Sequence, residues 1–409
     1  MSHAAKRFCQ DCSPTHQLNH ASEKTLGIIQ DVLENSVQRI VPKRIDAVLQ
    51  KVIMGGIFRI MKVTHLLKLQ PFSEKLHIHQ RTRVVEEEAR TRGMDIQAYT
   101  FFGQVTNMFV LNTGTSKHEF EGLPGIDPIQ TTQDIDDKEA AKKICSDLGV
   151  PVPQGQSFSR LKDAVAFAER VGYPVITKPR RGSLSAHTTV NIKNEEELRK
   201  GFTCAKQIST SVIVEQYIEG KLYRATTVGP KLIACGHRKP PTMTGDGTRT
   251  VRELFAESDN ERKQLLLSLG YTLSEIPELS PDRMSVSQDT VLSAGETIPL
   301  VWKINLAFGA RVIDVTRSVH PDNVALFEKI AKALQEFPTI GIDFIAPDIS
   351  ASWKEQRCGV IELNSLPSID LHHPPIVTGE FHNIAAALLD YVIPRLTTQR
   401  KMRYTNNVN

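Results

Sequence analysis

The sequence predicts an α/β protein in which a long α+β region follows a shorter region of helices and a small α/β unit. Two observations support this prediction. From residue 135 onward, short apolar runs with strand character alternate with amphipathic stretches of helical periodicity. Before residue 135, apolar residues first recur at helical spacing, and strand-like runs such as DIQAYT follow only later.

Length and composition describe an ordinary globular protein. The chain has 409 residues, 40% of them hydrophobic and 23% charged, which is enough for two or three domains. The net charge is only +4 and the basic residues are spread out, so we expect no nucleic-acid partner and favour an anionic small molecule. No apolar run reaches the roughly 18 residues that span a membrane, and the start lacks the apolar core of a secretory signal. We therefore expect a cytoplasmic protein, with isolated buried thiols at Cys145, Cys204, Cys235 and Cys358.

Residues 1–22 form a tail that carries four side chains able to ligate a metal: Cys9, Cys12, His16 and His20. Thiolates and imidazoles are the ligands of tetrahedral Zn²⁺ sites. However, the C-x2-C-x3-H-x3-H spacing is more compact than that of two-pair zinc sites, and segments this near a terminus are often disordered. A Zn²⁺ site and a metal-free flexible tail both stay open.

Residues 23–134 predict an N-terminal domain of helices and a small α/β unit. Apolar residues recur at helical spacing on both sides of Pro42, and the following GGIFRIMKVTHLLKL favours a core-facing or partner-facing helix over one on a membrane surface. A helix from His79 to Gly93 precedes the strands DIQAYT and NMFVLN. The polar stretch HEFEGLPGIDPIQTTQDIDD marks the domain boundary.

The next segment predicts a cover for a phosphate group. A capped helix from Asp137 to Gly149 and a second helix from Ser159 to Val171 lead to the strand PVITK, which ends at Lys178. The loop PRRGSLSAHTT follows, and then a helix from Glu195 to Lys206. Small residues let backbone N–H groups approach an anion, and the lysine adds charge. The alternative is a surface lysine at the end of a strand.

The strand VIVEQYIEG predicts one wall of an adenine pocket. Glu215 supplies a carboxylate beside the backbone, and Tyr217 and Ile218 supply apolar walls. The alternative is that Glu215 is a charge on an edge strand.

Two strands near the C-terminal end, GIDFIAPDIS and GVIELN, predict a metal site. Side chains alternate along a strand, so Glu362 and Asn364 share one face with Val360. A hairpin-like return would lay Asp343 beside Glu362. Two carboxylates and an amide suit a hard cation such as Mg²⁺, which leaves its other positions to phosphate oxygens and water. The alternative is a half-exposed sheet face with scattered polar residues.

Taken in order, five motifs resemble the ATP-grasp ligases: VIVEQYIEGKLYR, ACGHRKPPTMTGDGTRTVRELF, NLAFGARVIDVTRSVHPDNVALFEKIAKAL, GIDFIAPDIS and VIELNSLPSIDLHHPP. The resemblance is closest to the ATP-grasp domain of cyanophycin synthetases, and more distant to bifunctional glutathione synthetases and D-alanine–D-alanine ligases. It defines an ATP-grasp domain at residues 135–396, followed by a polar tail at 397–409.

The resemblance implies that ATP lies between two α+β subdomains, and that a carboxylate is phosphorylated to an acyl phosphate which an amine attacks. It implies ATP and two Mg²⁺ ions as cofactors, with the metal ligands Asp343, Glu362 and Asn364. The matching ATP-binding residues are Lys178, Gly182, Ser183, Glu215, Gln216, Tyr217 and Ile218. Arg238 aligns with an arginine suited to the phosphoryl group in transit, and Asn305 with an asparagine near the phosphate end.

Three departures from the family pattern affect the expected function. Ala186 and His187 replace glycines in the loop, and Leu222 replaces an acid that holds the ribose hydroxyls. Asp370 stands where cyanophycin synthetases usually have arginine, and it favours a cationic or amine substrate. The alternative is that Asp370 caps the following turn. His372 and His373 follow and are expected to tune this substrate site near neutral pH.

We therefore expect an ATP-dependent carbon–nitrogen ligase that forms one amide or peptide bond on an amino acid or short peptide. A nucleotide-binding or scaffold protein that has lost turnover is the alternative, and Leu222 and the altered loop motivate it. The N-terminal domain is a candidate for substrate capture or for contacts within a homo-oligomer.

Overall fold

The computed structural model describes residues 58–73, 78–125, 134–180, 186–273, 276–284 and 286–406, together with His20, Ser22, Lys24, Thr25, Gly56 and Leu76. Side chains are described up to residue 396. The helices predicted on either side of Pro42 lie outside the described residues. No described helix is both long enough and apolar enough to cross a membrane.

The described helices are α1 (Gln80–Thr91), α2 (Lys138–Asp147), α3 (Leu161–Val171), α4 (Glu195–Ala205), α5 (Val251–Ser268), α6 (Pro321–Ala333) and α7 (Ile384–Asn406). The strands are β1 (Leu67–Pro71), β2 (Asp95–Phe101), β3 (Gln104–Asn112), β4 (Lys117–Glu121), β5 (Gly155–Phe158), β6 (Val175–Pro179), β7 (Thr189–Ile192), β8 (Val212–Gln216), β9 (Lys221–Val228), β10 (Lys231–Lys239), β11 (Thr242–Thr244), β12 (Thr297–Pro299), β13 (Arg311–Asp314), β14 (Thr339–Ala346), β15 (Gly359–Asn364) and β16 (Val377–Thr378). The mixed α/β class is as predicted.

The N-terminal sheet is an antiparallel meander in the order β1-β2-β3-β4. Its core also includes side chains from the far end of the chain, because α7 packs beside α1: Ala89 and Phe109 share one apolar cluster with Leu388 and Leu389. Arg92, which directly follows α1, donates to Asp390 of α7 at 2.6 Å. The N-terminal sheet is thus anchored to the C-terminal helix.

The small sheet has the order β5-β8-β6-β7, and α3 and α4 cover one of its faces. Capping residues define its helices as the sequence indicates. Asn194 accepts from the backbone N–H of Glu197 at the start of α4, and α3 ends at Gly172, whose φ is +83°. Asp137 caps α2 in the same way, accepting from Glu139 and Ala140.

The large sheet has the order β15-β14-β9-β10-β13-β16, with only the β13–β16 pair parallel. One face carries Ala225, Ile342 and Phe344 and packs on α2 and α6. The opposite face carries a row of charged side chains. Alternation along each strand therefore separates an apolar face from a polar one.

A β-bulge in β15 changes one expectation about this polar face. The register passes from Asp343↔Glu362 to Phe344↔Val360, so Ile361 is an extra residue. Val360 consequently lies on the apolar face, in the core cluster, and the expectation that it shares a face with Glu362 is wrong. Glu362 and Asn364 do share a face, because the bulge lies before both.

Candidate functional site

The two predicted metal-binding strands form an antiparallel hairpin. Asp343 lies directly opposite Glu362 in the register, and Asn364 lies opposite Gly341, two residues from Asp343. Directly paired residues on neighbouring strands lie on the same face. The structure therefore brings Asp343, Glu362 and Asn364 to one face.

Two arginines hold Asp343. Arg224 on β9 is paired with it in the register and donates through Nε to Oδ1 at 2.6 Å and through Nη2 to Oδ2 at 3.2 Å. Nη1 of Arg238 lies 3.5 Å from Oδ2. Burial would raise the pKa of Asp343, but the charges of Arg224 and Arg238, with a contribution from Lys178, lower it. Asp343 is therefore a carboxylate in the folded protein.

The donor set fits a hard cation. Glu362 is about one third exposed, with the Lys138 ammonium 4.0 Å from its Oε1. Nδ2 of Asn364 is buried and has no hydrogen-bond partner among the described residues. Oδ1 of Asp343 keeps a lone pair beyond the one that Arg224 uses, whereas both arginines approach Oδ2. Carboxylate and amide oxygens with open neighbouring positions suit Mg²⁺.

Lys178, at the end of β6, lies 2.6 Å from Oε1 of Glu215, and Lys142 of α2 contacts Oε2 of the same carboxylate. Burial would raise the pKa of Glu215, but the two lysines lower it. β8 lies between β5 and β6, and Glu215 is 1% exposed, which excludes the edge-strand alternative. In the structure Glu215 engages both lysines, and its contact with adenine stays a prediction.

Gly155 is required by this cluster. A Cβ at this position would lie 2.5 Å from Cβ of Glu215 and 2.6 Å from Nζ of Lys142. Such distances are far below van der Waals contact. The absence of a side chain on β5 therefore leaves the space in which a lysine reaches a buried glutamate.

Three further charged residues contact the site: Lys138, Lys142 and Arg224. The sequence motifs do not single them out. The segment DKEAAKK places Lys138 and Lys142 four residues apart, on one face of a helix that Asp137 caps. That spacing, in a helix with apolar neighbours, is the available signal; the side chain of Lys138 is buried and that of Lys142 is 11% exposed. Arg224 gave no such signal, because its role depends on strand pairing with β14.

Some of the other residues matched to ATP are also present in the described part of the structure. Gly182 and Ser183 lie outside the described residues. Gln216 donates through Nε2 to the Val171 carbonyl, the backbone N–H of Tyr217 donates to Pro174, and Ile218 is buried. These contacts fix the chain segment that leaves β8.

Arg238 on β10 lies beside the loop that carries Asn305, the second residue matched to the phosphate end. Arg238 donates through Nη2 to the carbonyl of Ile304 at 2.8 Å, and Asn305 accepts from the N–H of Ala307 at 3.0 Å. The arginine thus spans from Asp343 to the backbone beside Asn305. This places one guanidinium between Asp343 and the loop that carries Asn305.

At the N-terminal tail the structure describes His20, whose ring meets that of His187 edge to face with centroids 4.8 Å apart. Cys9, Cys12 and His16 lie outside the described residues. The zinc prediction therefore stays a prediction.

The predicted acceptor segment folds into a short 3₁₀ helix, Ile369–His372, over the polar face of the large sheet. Asp370 is 4% exposed, and its Oδ1 has no hydrogen-bond partner among the described residues. Its side chain therefore does not cap the following turn through Oδ1. Burial raises the pKa of Asp370 to about 6, although its own backbone N–H and the charges of Arg81 and Arg224 act in the opposite direction.

The expectation that the two histidines tune this region near neutral pH is wrong. Burial lowers the pKa of His372 to about 3, assisted by Arg224, and lowers that of His373 to about 4. Nε2 of His372 pairs with the hydroxyl of Thr226 at 2.8 Å. Both rings are neutral at neutral pH, so His372 is a fixed hydrogen-bonding group.

The sequence and the fold of this chain are similar to those of known proteins. Residues 137–225 match the family described as the ATP-binding domain of the carbamoyl-phosphate synthase L chain. Over 275 residues, 64% of this chain, the sequence is 34% identical to a cyanophycin synthetase of Synechocystis sp. and covers 31% of it. It is 25% identical over 382 residues to the glutathione biosynthesis bifunctional protein GshAB of Desulfotalea psychrophila, which is 88% of this chain and 47% of that protein.

Among solved structures, a bifunctional glutathione synthetase from Pasteurella multocida superposes with a TM-score of 0.50 at 21% identity, over 78% of this chain and 44% of that one. The chain spans about a third of the length of the cyanophycin synthetases that it matches. The resemblance to the ATP-grasp ligases is therefore confirmed, and the chain has the mixed α/β fold of these proteins.

Proposed function

We propose that this chain is an ATP- and Mg²⁺-dependent carboxylate–amine ligase that forms an amide bond through an acyl phosphate. The observation that carries the proposal is the pairing of Glu362, Asp343 and Arg224 on three adjacent strands. It sets oxygen donors for a hard cation beside a guanidinium that suits phosphoryl oxygens. The similarity to ligases that act on amino acids and peptides supports an amino acid or a short peptide as the substrate.

Lys178 and Lys142 would bind the ATP phosphates. Lys178 is close enough to Asp343 for its charge to lower the pKa of that carboxylate, so the end of β6 and the large sheet face the same space. Glu215 orients both ammonium groups by accepting from each. Two oriented cations in a space with little water stabilise phosphate charge far more than they would in bulk solvent.

Asp343, Glu362 and Asn364 would hold Mg²⁺, which neutralises charge on the phosphates when bound. Arg224 keeps Asp343 ionised and fixes its orientation through two hydrogen bonds. Arg238 presents a guanidinium that contacts both Asp343 and the carbonyl of Ile304, directly before Asn305. We assign it to the phosphoryl group in transit, because that group spreads negative charge over its oxygens.

Asp370 would select the amine substrate. Its carboxyl is buried with an unpartnered oxygen among the described residues, next to the segment that leaves Asn364. A substrate ammonium or guanidinium would supply the missing partner and stabilise the ionised form. His372 would position a substrate group as a neutral hydrogen-bonding partner rather than exchange protons near neutral pH.

A catalytically weakened nucleotide-binding protein is the second candidate, because Leu222 offers no carboxylate for the ribose hydroxyls. Leu222 pairs with Arg238 and Ile345 in the large sheet, so the position does border the site. Lost ribose contacts would weaken ATP binding without removing the groups that act on the phosphates. Both candidates bind ATP, with Leu222 at the ribose position in each case. They differ in whether the bound ATP is turned over.

The deciding experiment is a screen of ADP release by the full chain with Mg²⁺ and ATP against a panel of amino acids and dipeptides. A ligase releases ADP only with a matching pair, and Glu362→Gln abolishes that release. Glu328→Gln is the matched control, since this carboxylate pairs with Lys231 on the other side of the sheet. Binding of Mg²⁺-ATP with no ADP release for any pair would instead support the weakened protein.

A further inference from the structure

A second group of ligating side chains lies outside the residues assigned above. Asp314 ends β13, and Glu380 and His382 lie between β16 and α7. One ligating atom from each residue lies within 4.8 Å of the others. The group combines one imidazole with two carboxylates, a set found at metal centres rather than at ordinary surface ion pairs.

The sheet register locates this group relative to the site described above. Asp314 is paired with Gly236, Gly236 with Arg224, and Arg224 with Asp343. Paired residues share a face, and adjacent strands lie about 4.8 Å apart, so Asp314 is about 14 Å from Asp343 on the same face of the sheet. The group is therefore separate from the predicted Mg²⁺ ligands.

A glycine brings the chain back over Asp314. Gly379 has a φ of +109°, and a Cβ there would lie 3.2 Å from Cβ of Asp314. The backbone conformation and the close approach both favour glycine. Glu380 and His382 follow directly, so this turn delivers two ligating side chains onto the end of β13.

The contacts within the group are incomplete. Nε2 of His382 lies 3.2 Å from Oδ1 of Asp314, yet this buried nitrogen has no hydrogen-bond partner among the described residues. Buried polar nitrogens normally have one. Oδ1 of Asp314 accepts two hydrogen bonds from Thr316, which use both of its lone pairs, so Oδ2 is the oxygen left to ligate an ion together with Nε2 of His382.

The other polar contacts leave room for an ion. Oδ1 of Asp314 accepts from the hydroxyl of Thr316 at 2.6 Å and from its N–H at 3.3 Å, which orients the carboxylate as outer-shell partners do. Glu380 is bound by Arg317 through Nε and Nη2, each at 2.7 Å. Arg317 is largely exposed, so an ion at Glu380 would compete with a bidentate but solvent-screened ion pair.

We propose that Asp314, Glu380 and His382 bind a divalent cation of the Zn²⁺ class and leave one position open. Imidazole suits Zn²⁺, Ni²⁺ or Cu²⁺ better than Mg²⁺, which prefers oxygen ligands. The ion joins β13 to the turn that leads into α7, and so fixes the C-terminal helix against the large sheet. The site does not depend on the proposed ligase activity.

The test is titration of the full-length, metal-free protein with Zn²⁺ by calorimetry and with Co²⁺ by absorption spectroscopy. A Co²⁺ site built from Asp314, Glu380 and His382 has no thiolate, so it shows no sulfur-to-metal charge-transfer band, whereas a site at Cys9 and Cys12 would show one. Removing an outer-shell partner costs about 10–100-fold in affinity, so Glu380→Gln and His382→Asn should each weaken this site by at least about 100-fold.

Arg317→Ala is the matched control, because it removes the partner of Glu380 and keeps all three ligands. The proposal expects Zn²⁺ affinity to be unchanged or higher in this variant. Glu380 is well exposed, so Glu380→Gln leaves no packing defect, and circular dichroism of each metal-free variant checks folding. The proposal is overturned if the protein shows no thiolate-free site, or if folded Glu380→Gln and His382→Asn bind as tightly as the wild type.

Discussion

Replacing Asp370 with asparagine should stabilise the protein and weaken its binding of the amine. Burial raises the pKa of Asp370 from 3.8 to about 6, against the charges of Arg81 and Arg224. Between these two values the folded state binds the proton more tightly than the unfolded chain does, so the free energy of unfolding falls as pH rises and stays low above pH 6. An asparagine side chain at this position cannot ionise, and the Asp370→Asn variant escapes this loss.

The size of the effect follows from the shift. About two pKa units correspond to about 3 kcal/mol at pH 7.5, and the same linkage leaves about 1 kcal/mol at pH 4.5. With an unfolding entropy of about 2.1 cal/mol/K per residue, 3 kcal/mol raises Tm by about 3–4 °C for a chain of this length that unfolds as one unit. The gain is specific to high pH, which distinguishes lost charge from improved packing.

The assay pairs thermal unfolding at pH 7.5 and 4.5 with steady-state kinetics at pH 7.5. We expect the KM for the amine to rise and the KM for ATP to be unchanged, because Asp370 would contact only the acceptor. Asp348→Asn is the control: Ser350 donates two hydrogen bonds to this exposed carboxylate and lowers its pKa, so this variant should gain nothing. A Tm gain equal at both pH values, or an unchanged KM for the amine, would refute the reasoning.

Three further predictions address the other groups. Glu362→Gln should abolish ADP release with little change in Tm, because Glu362 is partly exposed and its loss relieves repulsion with Asp343; near-normal turnover would contradict the metal assignment. Deletion of residues 1–22 should leave ATP affinity unchanged in a calorimetric titration, because the residues matched to nucleotide begin at Lys178; loss of stoichiometric zinc together with ATP affinity would show the reverse. Lys142→Met should cost about 3 kcal/mol in denaturant unfolding, because it removes one of the two cations that hold the buried Glu215, and Lys142→Met/Glu215→Gln should recover part of that loss.

Local patterns in the sequence were sufficient for the elements around the site. Asp137 and Asn194 precede helices that begin where expected, and Gly172 ends α3. Capping depends on residues within one turn of each other, so it is written in the local sequence. The pairing of Asp343 with Glu362 was also predictable, since a short connection between two strands favours a hairpin.

Contacts between distant segments were not predictable in this way. The bulge at Ile361 reverses the side of Val360, and alternation alone gives no sign of an extra residue. Arg224 acquires its role from the pairing of β9 with β14, which joins positions 119 residues apart. The pKa of His372 is not predictable from local sequence for the same reason, because the burial that lowers it comes from tertiary packing.

The charge balance of the site argues that an anion completes it. Five cationic side chains converge there, Lys138, Lys142, Lys178, Arg224 and Arg238, whereas the carboxylates that they contact are Glu215, Asp343 and Glu362. Burying an excess of positive charge costs free energy unless a partner neutralises it. A nucleotide triphosphate with bound Mg²⁺ carries the opposite excess and brings its own cation to the oxygen donors. The lysines and arginines therefore favour nucleotide binding, while the three oxygen donors beside them are needed only where the phosphates react.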